Sequence, residues 1–250
     1  YRLLQNDTNS EPEEFTTEDD IQLPNSGFED WYTDSDGLPK PAKDASSSFW
    51  DCGNVNYFGK HIMTTQNDET ALGQGSSVKM ETQETMKIIA AGNIFTGTFE
   101  RDGMGGILTL GRNFECRPNK LKGYYKYTSA KVSVSKGHLN EGEDDLCSLY
   151  IALTDEQITV NTNKGIYFDP NSSAVIAYGS ISDEESKGAD SFKEFTVDLE
   201  YKDLKRIPKY IIVVASSSKY GDYMEGGKGS TMWLDDLELV YPKSMEEVRK

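Results

Sequence analysis

Nowhere in this chain do apolar side chains recur at the 3.6-residue helical period over about 12 residues or more. The best helical candidate, residues 80–89, is broken by threonines and β-branched residues. The apolar runs are short instead. They alternate with period two or are apolar throughout, and clusters of Gly, Asn, Asp and Ser end them. Strands are predicted over 77–81, 87–91, 106–110, 121–128, 130–135, 146–153, 174–179, 193–199, 210–216 and 231–241. In one of them Phe195, Val197 and Leu199 share a face while Glu194, Thr196 and Asp198 share the other, so one side is wet. Residues 210–215 (Tyr-Ile-Ile-Val-Val-Ala) are apolar on both parities and read as a central, covered strand, with Pro208 just ahead where a missing N–H costs little. Many short strands with almost no helix, in a chain of 250 residues, predict an all-β fold. The expected architecture is an antiparallel two-sheet β-sandwich of the jelly-roll type. Its expected span is 22–243, between a flexible acidic leader over 1–21 and a tail over 244–250.

Charge narrows the partners. With 42 acidic against 26 basic residues the net charge is −16, and a polyanion is a poor partner for such a surface. Nucleic acid is therefore excluded, and an anionic membrane surface is disfavoured. No run of about 18 apolar residues exists to span a bilayer. The three cysteines, Cys52, Cys116 and Cys147, form no Cys-x-x-Cys pair, and the odd count argues against a disulfide framework, although one bridge is open. Cys147 shares strand parity with Leu149, Ile151 and Leu153 and reads as a buried thiol. Only His61 and His138 supply imidazole, which weakens a histidine-based metal centre or triad. Three motifs fail on inspection. The Asp34-Ser-Asp-Gly37 turn lacks the other ligands of an EF-hand loop, Gly226-Gly-Lys-Gly-Ser230 lacks the phosphate-loop order, and there is no Gly-x-Ser-x-Gly elbow.

The two ends of the folded span carry more. Residues 24–31 read Pro-Asn-Ser-Gly-Phe-Glu-Asp-Trp, and 231–241 read Thr-Met-Trp-Leu-Asp-Asp-Leu-Glu-Leu-Val-Tyr. By alternation Trp233, Asp235, Leu237, Leu239 and Tyr241 share a face, which points a carboxylate towards the core. A buried carboxylate needs a partner or a cation. If the first and last strands are neighbours, Glu29 and Asp235 with backbone carbonyls would make an oxygen-rich structural calcium site; the competing reading is that Asp235 caps loop amides or meets Lys or Arg.

These end motifs resemble those of galactose-binding-like β-sandwich carbohydrate-binding modules, some of which hold a structural calcium there. Further segments are similar to one group, the putative carbohydrate metabolism domain (PCMD) of gut Bacteroidetes surface proteins. They are 49–54 (Phe-Trp-Asp-Cys-Gly-Asn), 90–97 (Ala-Ala-Gly-Asn-Ile-Phe-Thr-Gly), 117–127 (Arg-Pro-Asn-Lys-Leu-Lys-Gly-Tyr-Tyr-Lys-Tyr), 215–222 (Ala-Ser-Ser-Ser-Lys-Tyr-Gly-Asp) and 226–241. Together they run from about residue 22 to 242. The resemblance implies a secreted, lipid-anchored protein of the outer membrane or cell surface, whose signal segment and lipidated Cys would precede Tyr1.

The chain has 14 Tyr, 10 Phe and 3 Trp, a balance that suits stacking on sugar rings with hydrogen bonding at the rim. Trp50, Asn54 and Tyr57 fall in a polar loop where Trp50 is expected to be exposed; Lys126 lies on a strand of alternating tyrosines; Ser217, Lys219 and Asp222 follow the central strand, at the rim of a sandwich-end pocket. These seven are the candidate glycan-binding residues, and the leading reading is a non-catalytic cell-surface protein for glycan capture. One alternative is a glycoside-processing enzyme, for which Asp51, Asp222 and Glu225 are the nominated loop acids. The other is a structural or adhesin module that binds further surface proteins.

Overall fold

The computed structural model describes residues 20–242, together with the backbone of a two-residue pairing between Leu4–Gln5 and Thr8–Asn9. Apart from that pairing and residues 20 and 21, the expected leader lies outside the described residues, as does the tail. Two antiparallel sheets, of nine and five strands, make a β-sandwich. In chain order their strands are β1 (Trp50–Asp51), β2 (Thr64–Asn67), β3 (Ser77–Glu81), β4 (Asn93–Asp102), β5 (Gly105–Leu110), β6 (Arg112–Asn113), β7 (Lys120–Thr128), β8 (Ser148–Thr154), β9 (Ile158–Asn161), β10 (Val175–Ser180), β11 (Ala189–Asp198), β12 (Glu200–Tyr201), β13 (Tyr210–Ser216) and β14 (Thr231–Val240). The large sheet runs β9-β5-β4-β13-β8-β10-β12, with β1 beside β4 and β6 beside β13. The small sheet runs β11-β7-β14-β3-β2. The described residues contain no α-helix, only four single turns of 3-10 helix, and no helix long and apolar enough to cross a membrane.

Period-two patterning explains how the sheets close on each other. Tyr125, Phe195 and Leu121 point inward from the small sheet, and Leu149, Ile151 and Val213 meet them from the large one. Each such side chain contributes roughly 1.5–3 kcal/mol by leaving water. Strand β13 is apolar on both parities because it is central and covered twice: Ile211, Val213 and Ala215 face the core, while Ile212 joins a second apolar cluster on the outer side. All three cysteines are buried, and among the described residues none is in a disulfide.

Three expectations change. Residues 130–135 are not a strand: Lys131 bridges only Asp144, and Val134 only Gly226. Strand β4, ten residues long and central, is absent from the predicted strands because Gly97 and a charged distal end interrupt its alternation. In β14 the register against β7 slips between Lys122 and Tyr124, so two residues oppose Gly123, and Asp236 adopts a left-handed φ of 46°. This bulge inverts the parity. Met232 and Leu234 face the core before it and Leu237 and Leu239 after it, while Trp233 falls on the outer face against Lys126 and Lys79. Asp235 is nonetheless 2% exposed, because its carboxylate accepts from the Ala71 N–H at 2.9 Å.

Candidate functional site

The outer face of the large sheet holds a cleft of 540 Å³. Its floor is the non-core parity of the central strands: Phe95 and Phe99 from β4, Leu108 and Leu110 from β5, Tyr150 from β8 and Val214 from β13. Antiparallel register sets these side chains in rows. Asn93, Ser216 and Ser148 are aligned across β4, β13 and β8 as one polar row, and Phe95, Val214 and Tyr150 form the next. Two hairpins wall the cleft, Val55–Asn56 with Lys60–His61 and Gln83–Thr85 with Ile88–Ala90, and the β4–β5 turn closes a third side.

The segment after β13 supplies the polar end, and buried carboxylates pin it. Asp145, inaccessible to solvent, accepts from Ser218 Oγ at 2.6 Å, the Gly227 N–H at 2.8 Å and Ser230 Oγ at 2.8 Å. Desolvation still raises its pKa, against those three hydrogen bonds. Glu225, equally buried, accepts the N–H groups of Lys136, His138 and Leu139 and meets His138 Nδ1 at 3.1 Å. Burial alone would raise the Glu225 pKa, but those donors outweigh it and hold it below the usual value. His138 in turn stacks on Tyr220, with ring centroids 4.4 Å apart. The loop that carries Asp222 is therefore fixed from both sides.

Asp222 is different. It is half-buried in the cleft, and its carboxylate has no hydrogen bond or ion pair among the described residues. Desolvation pushes its pKa up to about 6. Tyr150 beside it is held protonated, first by burial and then by the Asp222 charge. Its hydroxyl and that of Ser148 also have no partner among the described residues, so three unspent polar groups face one space. Hydroxylated ligands are what such groups recognise. Among the described residues lining the cleft, Asp222 is the sole acid.

Of the candidate glycan-binding residues, Tyr57, Lys219 and Asp222 come together in this cleft. Tyr57 is covered by the Arg101 guanidinium, 4.1 Å above its ring, and Lys219 pairs with Asp183 at 3.1 Å. The other four are elsewhere. Trp50 is 1% exposed, packs edge-on against Phe28 and donates its indole N–H to the Pro24 carbonyl, so it is a core residue. Asn54 is buried and spends its amide on the backbone of Pro39, Met63 and Thr64. Ser217 is buried against Thr82 and the Gly92 carbonyl. Lys126 lies on the opposite sheet, over the Trp233 ring and paired with Glu69. Of the nominated acids, Asp51 is tied to Lys40 at 2.7 Å and to two backbone N–H groups, and Glu225 is enclosed as described. Sequence reading missed Tyr150, Ser148, Phe58, Met86 and Met104. The signal for the last three was an apolar residue in a turn.

Glu29 and Asp235 are near enough for the charge of one to act on the other. The Glu29 carboxylate caps Ser76 through its N–H and hydroxyl, at 3.1 and 2.9 Å. Asp235 is pushed up to about 6, chiefly by burial, with Asp236 and Glu29 adding like charge. No basic group is paired with it among the described residues; of the two neighbouring acids, Asp236 is half-buried and Glu29 is exposed. Among the described residues no group of three or more His, Cys, Asp or Glu side chains is spaced to hold a metal.

The family model described as "Putative carbohydrate metabolism domain", PCMD, matches residues 22–240. No curated protein matches the chain. A solved structure called a putative glycoside hydrolase from Bacteroides vulgatus superposes with a TM-score of 0.66 at 22% identity, over 86% of this chain and 96% of that one. Another, called a putative glycoside hydrolase from Bacteroides thetaiotaomicron, gives a TM-score of 0.58 at 25% identity over 73% of this chain. The match spans 58% of that longer chain. A family 11 carbohydrate-binding module from Clostridium thermocellum, in complex with a mixed-linked tetrasaccharide, is more distant, with a TM-score of 0.35 at 10% identity over 77% of this chain and 89% of that one.

Proposed function

Since the chain belongs to the PCMD family, a carbohydrate-related domain, we propose that it is a non-catalytic glycan-binding protein of the cell surface. The single observation that carries this reading is the cleft, where Asp222, Tyr150 and Ser148 offer polar groups that no other described residue engages. Sugar hydroxyls can satisfy all three while a ring face rests on the apolar floor. Binding needs no more than this. Hydrolysis by the usual route needs two carboxylates on either side of the scissile bond, and the cleft holds one. A broad glycan array tests the proposal. The expected result is binding to a defined saccharide that Asp222→Ala reduces about tenfold or more, as loss of a charged hydrogen-bond acceptor does. A blank array with folded protein would contradict it and favour an adhesin role towards other surface proteins.

A hydrolase reading has one observation in its favour: a carboxylic acid with a pKa near 6 is suited to protonate a leaving group. Release of 4-nitrophenol from aryl glycosides, lost in Asp222→Asn, would establish it. We also propose that Glu29 and Asp235, completed by backbone oxygens, hold a structural calcium that staples the chain ends. A secreted, lipid-anchored location accompanies the proposal, and protease shaving of intact cells tests it.

A further inference from the structure

The cleft is more apolar than a sugar requires. Four of the seven methionines, Met63, Met86, Met104 and Met224, line it. Methionine is the side chain that adapts to apolar groups of varied shape. Three separate turns also hold large apolar side chains at its rim: Phe58 is 95% exposed, Met86 83% and Met104 54%. Three of the eight large apolar side chains exposed among the described residues stand at this one opening, which marks it as a binding feature.

Two of the turns are strained for that purpose. Thr85 pairs with Ile88, so Met86 and Lys87 are the central residues of a two-residue hairpin turn, with φ of 51° and 63°. Asn-Gly is the sequence this turn prefers, since both residues need positive φ. Phe58 has φ of 53° at the tip of the other hairpin. Each non-glycine residue there costs about 1 kcal/mol. The strain sits at positions where the side chain supports no core, which points to a ligand.

The lining is therefore mixed. Asp222, Tyr150 and Ser148 supply its polar groups, and Phe58, Met86, Met104 and Phe99 supply apolar ones. The two cations on the lining, Arg101 and Lys219, are engaged with Tyr57 and Asp183 and do not call for an anionic ligand. Resting on the glycan-binding reading, we propose that the cleft takes an amphipathic glycoconjugate: a neutral sugar against Asp222, linked to an aryl, alkyl or acyl group seated among the methionines.

The test is calorimetric titration of the full chain with matched ligands: free glucose, galactose, mannose and xylose, their n-octyl glycosides below micelle concentration, and their 4-nitrophenyl glycosides. The expected result is at least about tenfold tighter binding of one apolar glycoside than of its free sugar, the increment that burying even two methylenes supplies. Phe58→Asn and Met86→Asn should erase that increment while raising the melting temperature slightly, because Asn tolerates positive φ. Equal affinity for the free sugar and its apolar glycosides would overturn the inference and leave glycan binding intact. Binding of the apolar dye 8-anilinonaphthalene-1-sulfonate with no sugar bound in any form would overturn both. A dimer in light scattering that Phe58→Asn converts to monomer, without any preference for apolar glycosides, would overturn the inference in favour of a self-association surface.

Discussion

Asp222 lies in the loop that follows β13 of the large sheet, Asp235 in β14 of the small one, and burial pushes both carboxyls up to about 6. Their surroundings differ. Asp235 is 2% exposed, receives the Ala71 N–H and is crowded by the charges of Glu29 and Asp236. Asp222 is raised by desolvation alone, and it opens onto a cleft of 540 Å³. One carboxylate is enclosed where the first and last segments of the sandwich meet, the other faces the space a ligand would fill. The same perturbed value thus marks two roles, and the distinction lies in what is free to approach.

Asp145 is the reference point for both, a buried carboxylate whose hydrogen bonds come from the protein itself. Asp145→Ala should cost the most, about 3 kcal/mol or more, since it strands buried donors on Ser218, Ser230 and Gly227. Chemical denaturation measures it, and a loss below about 1 kcal/mol would show that the loop is not held this way. Asp222→Ala should do the reverse, weakening glycan binding by about 1.5–3 kcal/mol while leaving the fold intact. Should affinity and stability fall together, the contrast between the two regions breaks down.

Calcium sharpens the other side. A saturating ion at about 100 times its Kd adds about 2.7 kcal/mol of stability. Thermal melts with calcium and with EDTA should differ accordingly in the wild type but not in Asp235→Asn, and glycan affinity should be the same in both buffers. Equal melts in the wild type would remove the staple.

A pH dependence separates the two acids further. The Asp222 pKa near 6 lies above the value of about 4 expected in an unfolded chain, so the native state binds the proton more tightly between them. Stability contributed by this group therefore falls as pH rises from about 4 to 6. Asp222→Asn should match the wild type below about pH 4 and exceed it above about pH 6. Asp235 titrates in the same direction in both proteins, so the difference isolates Asp222. An unchanged difference across the range would mean that Asp222 is solvated.

The sandwich was legible because period two and doubly apolar β13 are direct consequences of sheet burial. The site was only partly so. Asp222 and Lys219 were accessible to reasoning because they follow the central strand at its end. Trp50 was misplaced because aromatic residues in polar loops look alike in sequence whether they turn in or out; here the Pro24 carbonyl draws the indole inward. Ser217 looked available for the same reason until Thr82 and Gly92 enclosed it. The facing of β14 depended on a one-residue bulge opposite Gly123, and a register slip of that size has no period to announce it. Tyr150 and Ser148 reach the cleft only through the strand order β4-β13-β8, which joins segments far apart in the chain.

The most direct test is a crystal structure of the chain with the tightest glycan from the array. The account predicts the sugar in the cleft on the large sheet, with a ring hydroxyl donating to the Asp222 carboxylate and the Tyr150 hydroxyl within hydrogen-bonding distance. A sugar on the opposite sheet, stacked on Trp233 beside Lys126, would contradict it.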